Sequence, residues 1–87
     1  SKWEGEPIEI EFSYKKLDDK KERRKILATK VEITKKGIMI TGVCNKSNTE
    51  KSFVDGRIES MIKQGNKRYQ VIEWVEEKLN IDATDYC

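Results

Sequence analysis

The sequence predicts a small, mainly β domain: a five-stranded barrel followed by one C-terminal α-helix. Three observations carry this. Residues 7–14 alternate apolar and polar side chains. Further short apolar runs recur as far as Ile62, separated by polar turns. From Lys67 to Leu79 the apolar spacing changes to three and four residues. With 87 residues the chain makes one domain, and at this length only about 60–65% of the unfolded surface can be buried.

Strand one runs from Pro7 to Tyr14, with Ile8, Ile10, Phe12 and Tyr14 on one face and Glu9, Glu11 and Ser13 on the other. Pro suits a first position, where no ladder donor is needed. Lys15 to Glu22 is a polar hairpin connection centred on Asp18-Asp19. Strand two is Arg23 to Ile33. Leu27, Thr29, Val31 and Ile33 share one parity; Ile26 and Ala28 break it, which predicts a bulge or bend. Lys35-Lys36-Gly37 is a tight turn. Strand three, Gly37 to Cys44, is apolar on both faces, so it is expected to be central and covered on both sides. Gly42 there permits a bend or a close backbone approach. Lys51 to Val54 is strand four, Asp55-Gly56 the corner, and Arg57 to Ile62 strand five, with Ile58 and Ile62 inward.

Gln64-Gly65-Asn66 breaks the β pattern. Tyr69, Ile72, Val75 and Leu79 then form the stripe of an amphipathic helix over about 67–79, with Trp74 just off the stripe as a clamp onto the barrel. Residues 80–87 are a polar tail. The whole, with its barrel over about 7–63, fits a small Sm-like or SH3-like barrel whose helix plugs or flanks it. An open α+β sandwich with the same strand order is the alternative.

Charge is distributed unevenly. The net charge is +2, yet residues 1–14 carry one Lys against four Glu, residues 15–68 carry sixteen basic against seven acidic side chains, and residues 69–87 carry one Lys against five acids. A basic body between acidic ends is what steers a polyanion. The chain has no His, and its two cysteines, Cys44 and Cys87, are too few and too far apart for a zinc site. No phosphate-cradling glycine loop is present. Asp18-Asp19 reads as a solvated turn rather than a metal site. No catalytic residue, cofactor or metal is therefore expected. No apolar run approaches the roughly 18–20 residues of a membrane span, and a free thiol in a strand points to a reducing compartment, so the expected location is cytoplasmic. The opening Ser-Lys-Trp lacks an initiator Met, as a domain cut from a longer chain would.

Binding is the better-supported chemistry. Arg23 and Arg24 begin strand two, Lys46 lies in the loop after strand three, Lys51 opens strand four and Arg57 opens strand five. In a barrel these positions are neighbours, so the cations are expected to converge on one rim and neutralise phosphates. Tyr14, ending strand one, is placed to stack a base. Trp3 and Trp74 are expected to pack.

The ordered set Tyr14, Arg24, Gly42, Cys44, Phe53, Arg57 and Ile58 resembles the WYL domain, a bacterial Sm-like barrel. That family has a Tyr ending its first strand and an Arg four residues before a usual Pro. A Trp-Tyr-Leu strand ending Gly-Tyr-Cys follows, then a basic loop, and the pattern closes with Arg-x-Phe-Arg-x-Asp-Arg-Ile. Here Ala28 stands for the Pro, Ile38-Met39-Ile40 for the tripeptide, Val54 for the second Arg and Gly56 for the Asp. Lys46 matches the loop Arg, and Lys51 with Phe53 matches Arg-x-Phe.

The resemblance implies a non-catalytic accessory or regulatory module that binds single-stranded DNA or another nucleotide-like anion. Such domains occur behind a helix-turn-helix in bacterial transcription regulators, and at the C-terminus of Pif-type DNA helicases. With no helix-turn-helix and an end soon after its helix, this chain is expected to be a helicase accessory domain with a host motor domain in the same chain. The alternative is a ligand-sensing or protein-interaction domain of a transcription regulator.

Overall fold

A computed structural model describes residues 2–80. Six antiparallel strands, β1 (Lys2–Lys15), β2 (Lys21–Thr34), β3 (Gly37–Cys44), β4 (Thr49–Val54), β5 (Ile62–Gln64) and β6 (Lys67–Tyr69), form one sheet in the order β4-β3-β2-β1-β5-β6. One helix follows, α1 (Val71–Lys78). The fold is mainly β with a short C-terminal helix, as expected. The sheet is open: among the described residues no backbone ladder joins β4 to β6. The expected tail, with Cys87, lies outside the described residues. No described helix is long and apolar enough to cross a membrane.

The open sheet is nonetheless strongly curled, and two irregularities explain why. β1 begins at Lys2 rather than Pro7. Its pairing with β2 shifts between Glu4 and Ile8, and Pro7, which cannot donate, lies in that shift. Opposite it, β2 shifts against β3 between Ala28 and Lys30. This is the bulge expected in strand two, centred on Thr29. It sets which residues face inward: Ile26 and Ala28 before it, Val31 and Ile33 after it, are buried, while Leu27 and Thr29 are only half-buried. The parity shared by Leu27, Thr29, Val31 and Ile33 is thus split between the two faces at the bulge. A bulge adds one residue and flips the faces beyond it.

Gly42 pairs with Ala28 beside this bulge. A Cβ on Gly42 would stand 2.5 Å from the Leu27 carbonyl oxygen and 2.9 Å from its carbon. The close backbone approach expected at Gly42 is present, and it is what lets β2 and β3 stay paired through the bend.

The concave face collects Ile10, Phe12, Ile26, Ala28, Val31, Ile33, Ile38, Ile40, Cys44, Phe53 and Ile62, and α1 covers it with Trp74, Val75 and Leu79. Met39, on the other face of β3, is 39% exposed, so β3 is not covered on both sides. On that second face Met39 meets solvent while Thr41 and Val43 are half-buried, as antiparallel sheets allow.

The chain after β4 departs most from expectation. Asp55–Arg57 is a 3₁₀ turn, anchored by the Ile38 N–H donating to Asp55 Oδ1 at 3.3 Å. Strand five shrinks to Ile62–Gln64. Before it, Ile58 bridges Tyr14, the Glu59 N–H donates to the Ser13 carbonyl at 2.8 Å, and Ser60 Oγ accepts from the Ser13 N–H at 2.9 Å. Gly65, with φ +62°, and Asn66 close a two-residue hairpin, so residues 67–69 are a sixth strand instead of the first helical turn. The helix begins after Gln70, whose N–H donates to Glu73 Oε1 at 3.0 Å. Its buried stripe runs through Val71, Trp74, Val75 and Leu79; Ile72 is 44% exposed. Trp74 therefore lies on the stripe, fully buried, and its Nε1–H donates to Gln64 Oε1 at 2.9 Å.

Candidate nucleic-acid interface

The hairpin β1–β2 positions two of the five candidate cations, Arg23 and Arg24. Its loop is built by local bonds: the Lys16 N–H donates to the Lys20 carbonyl at 2.9 Å, and the Asp19 N–H to the Lys16 carbonyl at 2.9 Å. Asp18 Oδ1 accepts from the Lys20 N–H at 3.0 Å, and Asp19 takes φ +66°. The two aspartates shape the turn. Among the described residues no group of three His, Cys, Asp or Glu is placed to hold a metal.

Because side chains alternate, Arg23 and Arg24 leave β2 on opposite faces. Arg24 follows the parity of Ile26 and turns inward; its side chain is only 13% exposed, and its guanidinium carbon stands 5.9 Å from the Phe53 ring centre. Arg23 turns outward. Its Nε donates to Glu11 Oε2 at 2.7 Å, and its Nη1 to Ser13 Oγ at 3.1 Å and Ser60 Oγ at 3.3 Å. The structure therefore separates these two expected partners.

On the inner side, three cations from three segments surround one carboxylate. Register places Glu22 directly opposite Tyr14. Around Glu22 lie Lys16 Nζ at 3.3 Å, Arg24 Nε at 3.7 Å and Lys46 Nζ at 3.8 Å. The Lys16 ammonium beside it, with Arg24 and Lys46, holds the Glu22 carboxyl below the ordinary 4.5. Lys51 shares the inward parity of Phe53, is exposed, and pairs across to Gly42. It has no ion pair among the described residues.

Arg57 has a structural task. Its Nη1 donates to the Lys15 carbonyl at 3.1 Å and the Lys16 carbonyl at 3.0 Å, pinning the hairpin to the 3₁₀ turn. Tyr14 packs edge-on against Phe53, ring centres 5.0 Å apart, and its hydroxyl accepts from the Val54 N–H at 3.4 Å. These contacts tie the end of β1 to the end of β4 across the curl. Beside them lies an open cleft of about 550 Å³ lined by Tyr14, Lys16, Leu17, Asp18, Val54 and Arg57; Leu17 at the hairpin tip is 88% exposed.

Of the six expected site residues, Arg24 and Lys46 meet at Glu22, Lys51 shares their face, Tyr14 and Arg57 border the adjoining cleft, and Arg23 stands on the other side of the sheet. Sequence reasoning missed Lys16, Glu22 and Leu17. Glu22 was hidden by a one-residue register difference: a hairpin centred on Asp18-Asp19 pairs Tyr14 with Arg23, whereas the observed register centres on Asp18 and puts Glu22 there. Leu17, an exposed apolar residue in a polar turn, was a visible signal.

Cys44 is a buried free thiol in this region, as expected. Burial pushes the thiol up. The backbone N–H groups of Lys46 and Ser47, the Ser47 hydroxyl and the Arg24 guanidinium outweigh that and bring it from 9.0 to about 7. Arg24 Nη1 donates to Cys44 Sγ at 3.7 Å. In a Cys87→Ser protein, ultraviolet thiolate absorbance is expected to titrate with a midpoint near 7, and Arg24→Met to move it upward. A midpoint at or above 9.0 in the parent would contradict the donor arrangement. Since folding lowers this pKa, the thiolate's contribution to stability is complete above pH 9.0 and fades as pH falls through about 7.

Set against known protein families, curated proteins and solved structures, the chain matches none.

Proposed function

We propose that this domain is a non-catalytic module that binds single-stranded nucleic acid, with DNA as the first candidate, along the basic end of its concave face. The observation that carries the reading is the convergence of Lys16, Arg24 and Lys46 on one carboxylate, with Lys51 on the same face and the Tyr14 cleft next to it. Cations from separate segments track a phosphate backbone, and an apolar cleft with an aromatic wall accepts an unstacked base; together they are the parts of a single-strand site.

In the same reading the curled sheet is a Sm-like or SH3-like barrel of WYL type. Supporting this are the 3₁₀ turn at Asp55–Arg57, the Tyr14–Ile58 bridge and the Val54–Tyr14 hydrogen bond, which bring β4 back toward β1 without a ladder. The module would serve a larger cytoplasmic protein, a DNA helicase with its motor domain in the same chain.

The test is fluorescence anisotropy with a labelled oligonucleotide at two salt concentrations. Affinity is expected to fall with salt, log K dropping with a slope of about −0.7 per phosphate contacted. Lys46→Ala combined with Lys51→Ala should weaken binding about tenfold or more at low salt, and Arg23→Ala, on the opposite face, should change it less than about twofold. Absence of binding by the parent at low salt would refute the reading. A protein-interaction role is the second reading, favoured by Leu17 standing exposed at the mouth of the cleft. Under that reading, Leu17→Ser would abolish a host-domain contact while both lysine variants leave it intact.

A further inference from the structure

What sets the Glu22 cluster apart from the other ion pairs is that it leaves a buried donor, Arg24 Nε, unmet. Charge-assisted hydrogen bonds between ammonium or guanidinium groups and carboxylates settle at about 2.7–2.9 Å. The Arg23–Glu11 pair on the outer face does so, at 2.7 Å. Around Glu22 the three cations stand off at 3.3, 3.7 and 3.8 Å. Arg24 Nε is buried without a hydrogen-bond partner, although the Glu22 carboxylate is its ion-pair neighbour. A buried donor left unmet is costly and calls for an acceptor that reaches it. The cradle formed by Lys16, Arg24 and Lys46 is wider than one planar carboxylate can fill. A tetrahedral phosphate group, with oxygens directed at several donors at once, is the larger anion that fits such a cradle.

We infer that Lys16, Arg24 and Lys46 form a phosphate subsite in which Glu22 is the resident counter-ion, so that a nucleic-acid phosphate binds by displacing the Glu22 carboxylate. This rests on the nucleic-acid reading above and adds an element to it. The site carries its own competitor, which holds the three cations apart when the site is empty and sets a threshold against weak anions. Glu22 is the second residue of β2, with 28% of its side chain exposed, so its carboxylate can swing outward by rotamer change without disturbing the ladder. The Tyr14 cleft shares Lys16 with the subsite, so a phosphate seated there places the attached nucleoside beside the apolar wall.

The experiment measures single-stranded oligonucleotide affinity and its salt slope for the parent, Glu22→Gln and Glu50→Gln. Glu50 is an exposed carboxylate on the outward parity of β4, so its removal changes net charge equally without touching the cradle. Glu22→Gln is expected to tighten binding about threefold to fivefold and to steepen the slope by about 0.7 or more as cations become free to meet phosphates. Glu50→Gln is expected to tighten it less than about twofold. Adding Lys46→Met should remove most of the Glu22→Gln gain. Equal affinities for the parent and Glu22→Gln, or equal gains in the two glutamine variants, would overturn the inference and leave the nucleic-acid reading standing. Silence from the parent and from Glu22→Gln alike would overturn both. If Glu22→Gln melts early, Glu22→Asp, which withdraws the carboxylate by one methylene, serves instead, with a smaller gain expected and no gain counting against the inference.

Discussion

Gly42→Val is expected to destabilise the domain by about 3 kcal/mol or more, enough to unfold much of it at moderate denaturant. The reason is local and backbone-borne. The first side-chain carbon would lie 2.5 Å from the Leu27 carbonyl oxygen, 2.9 Å from its carbon and 3.0 Å from Ala28 Cα, and none of these atoms belongs to a side chain that can turn away. Relief requires β2 and β3 to separate at the bulge, which opens the ladder where the sheet bends. Gly56→Ala is the matched control. Its Cβ meets nothing within 4 Å, so its effect should stay within about 0.5 kcal/mol. Urea midpoints for the two variants check this, and similar shifts would contradict the account of the bend.

Trp74→Ala is expected to cost about 3–5 kcal/mol. Trp74 is the largest fully buried side chain and joins the helix to the concave face. Removing it leaves a cavity and strips Gln64 Oε1 of its donor. Trp74→Phe keeps most of the volume and should cost less, about 1–3 kcal/mol, because it forfeits the hydrogen bond. Ile72→Ala, two positions earlier and 44% exposed, should cost under about 1 kcal/mol. If Ile72→Ala and Trp74→Ala shifted the midpoint alike, the helix would be facing the sheet the other way.

Much of this architecture was legible from residue pattern. Period-two alternation placed Ile10 and Phe12 inward, the parity break at Ile26 and Ala28 announced the bulge, and Gly42 announced the close approach. Where pattern and structure part, the causes are definite. The bulge flips parity, so alternation along β2 does not by itself say that Leu27 and Thr29 face away from Val31 and Ile33. Gly65-Asn66 looks like the end of β structure, but a Gly-first two-residue turn closes hairpins equally well, so residues expected in the first helical turn form β6. Ile72 fits a helical stripe through Tyr69 only if Tyr69 is helical; once Tyr69 belongs to a strand, the stripe rotates onto Trp74.

The candidate site was legible in parts. Arg24 and Lys51, expected at strand starts, and Lys46, in the turn after β3, lie on one face. Arg23 was expected with them, because position at a strand start does not say which face a side chain takes. Adjacent residues must diverge, and only one of the Arg23–Arg24 pair can join an inner cluster. Arg57 was expected as a free cation; the carbonyls of Lys15 and Lys16 claim it, and a long-range backbone contact of this kind has no sequence signature. Glu22 escaped notice because it was counted within a charged run, where its sign reduced the total but its register position went unused.

The central claim is that polyanions meet this domain at the inner end of the β1–β2 hairpin and the β3–β4 turn. Its most direct measurement is a nitrogen–proton NMR titration with a short single-stranded oligonucleotide at low salt. The account predicts that the amides of residues 14–24 and 44–51 shift together and saturate with one affinity, while those of α1 hold their positions. Shifts centred on β6 and α1, or none anywhere, would contradict it.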